Sequence, residues 1–175
     1  PSSMQRSTKA KRTRGPSRVL ISDETRLIEG QVNQFKPFMI KMVSQTPLEN
    51  HWNNLMKSYH YLGYTVLVGT CLKYLVFANE RVVAALGWSS AVWKLAARDK
   101  AIGWSIKQRN KYLHRVANNT RFLIFPWVKI SNFASHILSQ TIRVLNTDWL
   151  KVYGYRLWLL ETFVDSKRFM ASSYK

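Results

Sequence analysis

The stretch RFLIFPWVKISNFASHIL, residues 121–138, constrains the fold more than any other part of the chain. Phe122, Leu123, Ile124, Phe125, Trp127 and Val128 form an almost unbroken apolar run, the pattern of a strand buried on both faces. Ser131 and Asn132 follow where a helix N-cap belongs. The helix beyond them turns Phe133, Ala134, Ile137, Leu138, Thr141, Ile142 and Leu145 to one side, and His136, Gln140 and Arg143 to the other. A further strand, YRLWLLETFV, comes next. A strand–helix–strand unit of this length predicts that 122–128 and 156–164 are parallel neighbours joined by helix 133–145. A helix N-terminus after a buried strand can also hold an anion, so Ser131, Asn132 and Ser135 are candidate phosphate-binding residues. Phosphate-cradling loops usually need glycine, and none occurs between Gly103 and Gly154.

Upstream, Thr46 and Glu49 make a capping box with Pro47 at the first helical position, opening the helix TPLENHWNNLMKSYH. Leu48, Trp52, Leu55, Met56 and Tyr59 give it a core-facing stripe. YTVLVG follows, and then YLVFA, the turn ANER and VVAALGW, which read as a hairpin. Ser105 and Gln108 form a second capping box, predicting a helix from about Ile106 to Asn118. ISDETRLIEGQVNQF also looks helical: Ser22 can cap it, Asp23 and Glu24 favour its positive end, and Pro37 lies beyond it. SKRFMASSYK begins a last helix. The expected architecture is an α/β domain, α+β in its details, with a mixed sheet flanked by helices and a helical N-terminal region. The expected divisions are a flexible basic tail at 1–18, a helical segment at 19–46 and a main domain at 47–175. The start at Pro1 and the end at Lys175 suggest part of a longer protein.

Charge decides which partners to consider. Twenty-seven Lys and Arg face nine Asp and Glu, a net charge of +18 in 175 residues. That balance favours a polyanion, nucleic acid before an acidic membrane surface. No apolar run reaches membrane-spanning length; YTVLVGTCLKYLVFA comes closest and is broken by Gly69 and Lys73. Cys71 is the single cysteine, so no internal disulfide forms and a reducing, cytoplasmic setting fits. The tail PSSMQRSTKAKRTRGPSR carries Lys9, Lys11, Arg12 and Arg14. Lys94, Arg98, Lys100, Lys107, Arg109, Lys111 and Arg115 crowd the segment 89–119, where the only acid is Asp99. Trp88, Trp93, Trp104 and Tyr112 are interleaved among them. Cations neutralise phosphates and exposed rings stack on unpaired bases, so these basic residues with Trp104 and Tyr112 are the candidate nucleic-acid-binding set. The same pattern also suits core tryptophans beneath a solvated charged face.

Other chemistry is weakly signalled. His51, His60, His114, His136 and Cys71 do not fall in a metal-ligand spacing. Ser135 and His136 are adjacent, and helix neighbours point about 100° apart, so they cannot pair as nucleophile and base. Glu161 lies inside a strand, where a buried acid needs a partner. It pairs with a basic residue of the core or serves as a general base, the one catalytic candidate. Asp99 pairs with Arg98 or caps a turn.

The motifs YHYLGY, LVGTCLKYLVF, GWSSAVWKLAARDKAIGWS, NNTRFLIFPWVKISNFASHILS and YGYRLWLLETFVDSKRFMASSYK occur in this order over roughly residues 46–175. Together they resemble the DruA family of bacterial domains, which includes protein A of the Druantia anti-phage system and relatives encoded by transposons. The family continues beyond the point where this chain ends. Its layout is similar to the GNAT acyltransferase fold, in which a hairpin precedes a central strand, a helix, a second strand and a helix. In GNAT enzymes the helix N-terminus after the central strand binds the coenzyme A pyrophosphate through a Gln/Arg-x-x-Gly-x-Gly/Ala loop. Here Ile130, Ser131, Asn132, Phe133, Ala134 and Ser135 stand in that place. Charge and resemblance together lead to the expectation of a nucleic-acid-binding component, DNA before RNA, of an anti-phage defence or mobile-element system, and no cofactor is expected. An acyltransferase using acetyl-coenzyme A is the enzymatic alternative. A module recruiting a larger nuclease or helicase is a third reading.

Overall fold

The computed structural model describes residues 25–163. The hairpin organises it. Cys71–Ala78 (β3) and Arg81–Ser90 (β4) pair antiparallel across the turn Asn79–Glu80, where Asn79 takes a left-handed backbone with φ 55°. Phe38–Met42 (β2) pairs antiparallel with β3. Val116–Ile124 (β5) pairs antiparallel with β4, and Leu159–Thr162 (β7) runs parallel to β5. The main sheet is thus five-stranded and mixed, in the order β2-β3-β4-β5-β7. A separate parallel pair joins Ile28–Gln31 (β1) to Val128–Ser131 (β6).

Helices cover both faces, as side-chain alternation shows. Lys73 and Tyr74 are consecutive on β3 and therefore point to opposite sides. Lys73 bonds Glu49 Oε1 at 2.7 Å and Asn53 Oδ1 at 2.9 Å, both on α1 (Leu48–Tyr59). The Tyr74 hydroxyl donates to Asp148 Oδ2 at 3.0 Å, on the long helix Phe133–Tyr153 (labelled α4 below). Trp52 and Met56 fill the first layer; Phe133, Ile137, Leu145 and Trp149 fill the second. Fully burying one such side chain contributes about 1.5–3 kcal/mol. Gly87 lets the sheet approach the first layer closely: a Cβ there would sit 3.1 Å from the Trp52 ring and 3.2 Å from Arg121 Cβ, so both neighbours would have to give way.

The parallel pair is present, with different residues in it. Residues 116–119, not 122–128, face β7. The apolar run divides: 122–124 end β5, Pro126 cannot donate to the ladder, and the chain resumes in the other sheet as β6. The helix joining β5 to β7 runs past Leu145 to Tyr153 because Trp149 continues the buried stripe. Ile142, expected on that stripe, is exposed.

Two helical expectations are corrected. The part of ISDETRLIEGQVNQF within the described residues forms β1 and a short 3-10 turn, Val32–Gln34, not a helix. Gly30 sits at φ 148°, outside helical space, and a Cβ on it would meet the Gln34 side chain. The helix opened by Ser105 stops at Tyr112 and strand geometry begins at Val116. Asn118, Asn119 and Thr120 are poor helix formers. The first helix keeps its expected span but not its simple cap. Pro47 occupies the N-cap, Thr46 Oγ1 accepts from the Leu48 N–H at 3.3 Å, and Glu49 Oε2 accepts from Gln45 N–H at 2.7 Å. The expected tail, the cap at Ser22–Glu24 and the terminal helix SKRFMASSYK lie outside the described residues, as do residues 19–24 of the expected segment 19–46.

His60, at the end of α1, makes the fold sensitive to acid. Burial, aided by the Arg121 guanidinium, pushes its pKa down to about 4. Its Nδ1 accepts from the Leu62 N–H at 3.2 Å, which also requires the neutral ring. His136 is lowered as well, by burial and by the cations Lys36 and Arg143. A histidine held low in the folded state contributes stability above the unfolded value, near 6.5, and loses it as pH falls toward the folded value. Urea midpoints should therefore decline between pH 6.5 and about 4 in the wild type. The variant His60→Gln/His136→Gln should be nearly flat there. Equal declines in both would remove the histidines as the cause.

Candidate nucleic-acid interface

The segment between β4 and β5 is built as two short helices. Ala96–Ile102 (α2) ends at Gly103 in left-handed conformation, φ 78°. Ile106–Tyr112 (α3) opens on the predicted capping box: Gln108 N–H donates to Ser105 Oγ at 3.3 Å and Ser105 N–H to Gln108 Oε1 at 2.9 Å. A 3-10 turn, Leu113–Arg115, feeds directly into β5.

Arg98 fastens this segment to the sheet. Its NH1 donates to Glu161 Oε2 at 3.2 Å and to Val92 O at 2.9 Å, and its Nε and NH2 reach Asp99 Oδ1 at 3.2 Å. Asp99 Oδ2 accepts from Arg109 NH1 at 3.2 Å. Two cations and two carboxylates thus form one network, with side-chain exposures between 4% and 15%. Glu161 stands in a row across the sheet: Cys71 pairs with Ser89, Ser89 with Asn118, and Asn118 with Glu161. Partners in register share a face, and Cys71 lies two residues from Lys73, so α2 covers the same face as α1. Ser89 and Asn118 in this row are buried, and among the described residues Asn118 Oδ1 has no hydrogen-bond partner.

The sequence-predicted residues separate by position. Lys94, Lys100, Lys107 and Lys111 are exposed along α2 and α3 and the loops beside them. Trp104 and Tyr112 are half-buried, and Trp93 is exposed while Trp88 is in the core. Arg98 is buried in the network, and Arg109 is tied to Asp99. Arg115 lies at the edge, its guanidinium 4.7 Å from the Trp158 ring and 5.9 Å from that of Tyr155, with NH1 donating to Arg156 O at 3.1 Å. Tyr112 stands 5.2 Å from Trp158, ring centre to ring centre, and Lys111 Nζ lies 5.0 Å over Tyr112. Lys9, Lys11, Arg12 and Arg14 lie outside the described residues.

Tyr155, Arg156 and Trp158 were missed in the sequence. Their signal was present in YGYRLW, where rings and a cation alternate just ahead of a strand. The strand reading absorbed them.

The other candidate set sits elsewhere. Ser131 ends β6, Asn132 is the α4 N-cap in left-handed conformation at φ 58°, and Ser135 is exposed on the first turn. Asn132 makes no side-chain cap bond. Phe38 packs against this end, 4.9 Å from the Phe133 ring and 5.5 Å from that of His136. Among the described residues no group of three or more His, Cys, Asp or Glu side chains could hold a metal ion. No helix there is long and apolar enough to cross a membrane.

The family model of Druantia protein DruA matches residues 3–175. The chain belongs to the DruA family. Membership points to a component of Druantia anti-phage defence, a setting that suggests interaction with other defence proteins or nucleic acid. Neither the curated proteins nor the solved structures contain a match to this DruA-family chain.

Proposed function

We propose that this DruA-family chain is the DNA-binding component of an anti-phage or mobile-element assembly, working in the cytoplasm and without a cofactor. The observation that supports this reading is the unequal sharing of charge at the α2–α3 end. Its acids, Asp99 and Glu161, are already paired with Arg98 and Arg109. Lys94, Lys100, Lys107 and Lys111 project beside them, and among the described residues no carboxylate pairs with any of the four. A surface of this kind attracts phosphate backbones, and a basic tail at Lys9–Arg14 would add to it. Labelled DNA should bind at low salt and be released as salt rises. Deleting residues 1–18 should weaken binding without changing the preference between duplex and single strand. Absence of binding at low salt would overturn the proposal and turn attention to an acidic protein partner, in keeping with a recruiting module.

The enzymatic alternative rests on layout: a hairpin, a strand, a helix and a parallel strand, as in the GNAT fold. Every position from Ile130 to Ser135 carries a side chain, and Phe38 crowds the helix end. A backbone so covered does not close around a pyrophosphate. Titration calorimetry should therefore show no saturable binding of acetyl-coenzyme A. Micromolar binding that disappears when the pyrophosphate is removed from the ligand would restore the acyltransferase reading.

A further inference from the structure

We infer that Trp158 and Tyr112 form a stacking platform for an unpaired nucleobase, flanked by phosphate contacts from Lys111, Arg115 and Arg156. This rests on the nucleic-acid reading above and names the form of nucleic acid taken at one end of that surface.

The arrangement alternates rings and cations. Lys111 lies over Tyr112, Tyr112 stands against Trp158, and Arg115 lies over Trp158 and next over Tyr155. Trp158 is nevertheless 60% exposed. Its backbone N–H donates to Arg115 O at 2.8 Å, so the backbone is fixed while the ring remains in solvent. Leu159, the first residue of β7, and Phe163, just past its end, are also exposed, at 38% and 53%.

An open indole at the entrance to β7, the marginal strand of the sheet, is an aggregation liability unless something covers it. Charge selects the occupant. Among the described residues Lys111, Arg115 and Arg156 form no ion pair. An apolar protein surface would have to desolvate those cations, whereas nucleic acid supplies both a ring for Trp158 and phosphates for its neighbours. In a duplex the base faces are already stacked inside the helix. A single strand, a loop or a frayed end offers them freely, and stacking tolerates every base because each has a π face. The bond from Arg115 NH1 to Arg156 O holds the guanidinium in place beforehand, which lowers the ordering cost of binding.

The test uses the full chain, with fluorescence anisotropy on oligothymidylate, on a duplex of equal length and on an abasic strand with the same number of phosphates. Trp158→Ala should weaken oligothymidylate binding by roughly 5- to 100-fold, the effect of removing one stacked base. Duplex affinity should change by less than about twofold, since phosphate contacts are retained. Trp158→Phe should recover most of the loss. The abasic strand should bind wild type and Trp158→Ala equally. Tryptophan quenching by oligothymidylate should be smaller in Trp158→Phe than in the wild type. Equal weakening toward all three ligands, or no weakening toward any, would overturn the platform while leaving nucleic-acid binding intact. A wild type that binds none of the three would overturn both readings.

Discussion

Glu161→Ala should destabilise the domain by about 3–5 kcal/mol, because it strands a buried cation. Arg98 has a side-chain exposure of 4% and Glu161 one of 11%. With Glu161 gone, Asp99 would be left to serve both Arg98 and Arg109. The α2–α3 segment would then lose its attachment to β7. Replacing both partners, Arg98→Met with Glu161→Leu, should cost far less than the two single changes added together. Removing both charges leaves neither unpaired, and apolar replacement of a buried pair is often close to neutral. Urea unfolding followed by circular dichroism gives these differences for a two-state domain. A cost below about 0.5 kcal/mol for Glu161→Ala would mean the pair is solvated, as surface pairs are. The account of Arg98–Glu161 as the buried attachment of the α2–α3 segment would then fail.

The same residues show how far the sequence could be read. Asp99 was legible as a partner of Arg98, and Glu161 as an acid needing a basic partner, because buried charges have few alternatives. That the two needs are met by one arginine follows from the register of β5 and β7, which no local pattern encodes. The hairpin and the helices at Leu48 and Phe133 were legible because apolar period and turn chemistry agree there. β5 was obscured because Asn118, Asn119 and Arg121 are buried polar residues that interrupt its apolar alternation. β1 was obscured because Gly30 in a periodic segment reads as a tolerated helical glycine until its backbone is seen. In the candidate interface, the lysines were legible from charge alone. Arg98 could not be distinguished from them, because burial depends on what packs above a residue. Trp158 was hidden for the converse reason: a tryptophan in an apolar strand is expected in the core, and this one is 60% exposed.

Removing Lys107, Lys111 and Arg156 together should have the largest effect on binding. Each phosphate contact contributes about 0.9 to the slope of log affinity against log salt on duplex DNA. Three lost contacts should lower affinity on the order of 10²–10³-fold at 0.1 M salt. These side chains are exposed and form no ion pair among the described residues, so the fold should be unaffected. Arg98 and Arg109 are left in place because they hold the segment together. Lys129, Arg143 and Lys151, exposed on β6 and α4, supply a control that removes equal charge elsewhere.

The most direct measurement is the salt dependence of duplex binding by the wild type, the triple variant Lys107→Gln/Lys111→Gln/Arg156→Gln and the control Lys129→Gln/Arg143→Gln/Lys151→Gln. A wild-type slope of about −4 or steeper, flattening to between about −1 and −2 in the first variant and nearly unchanged in the control, is the predicted result. Equal flattening in the two variants, or a wild-type slope near zero, would contradict a nucleic-acid interface at the α2–α3 end.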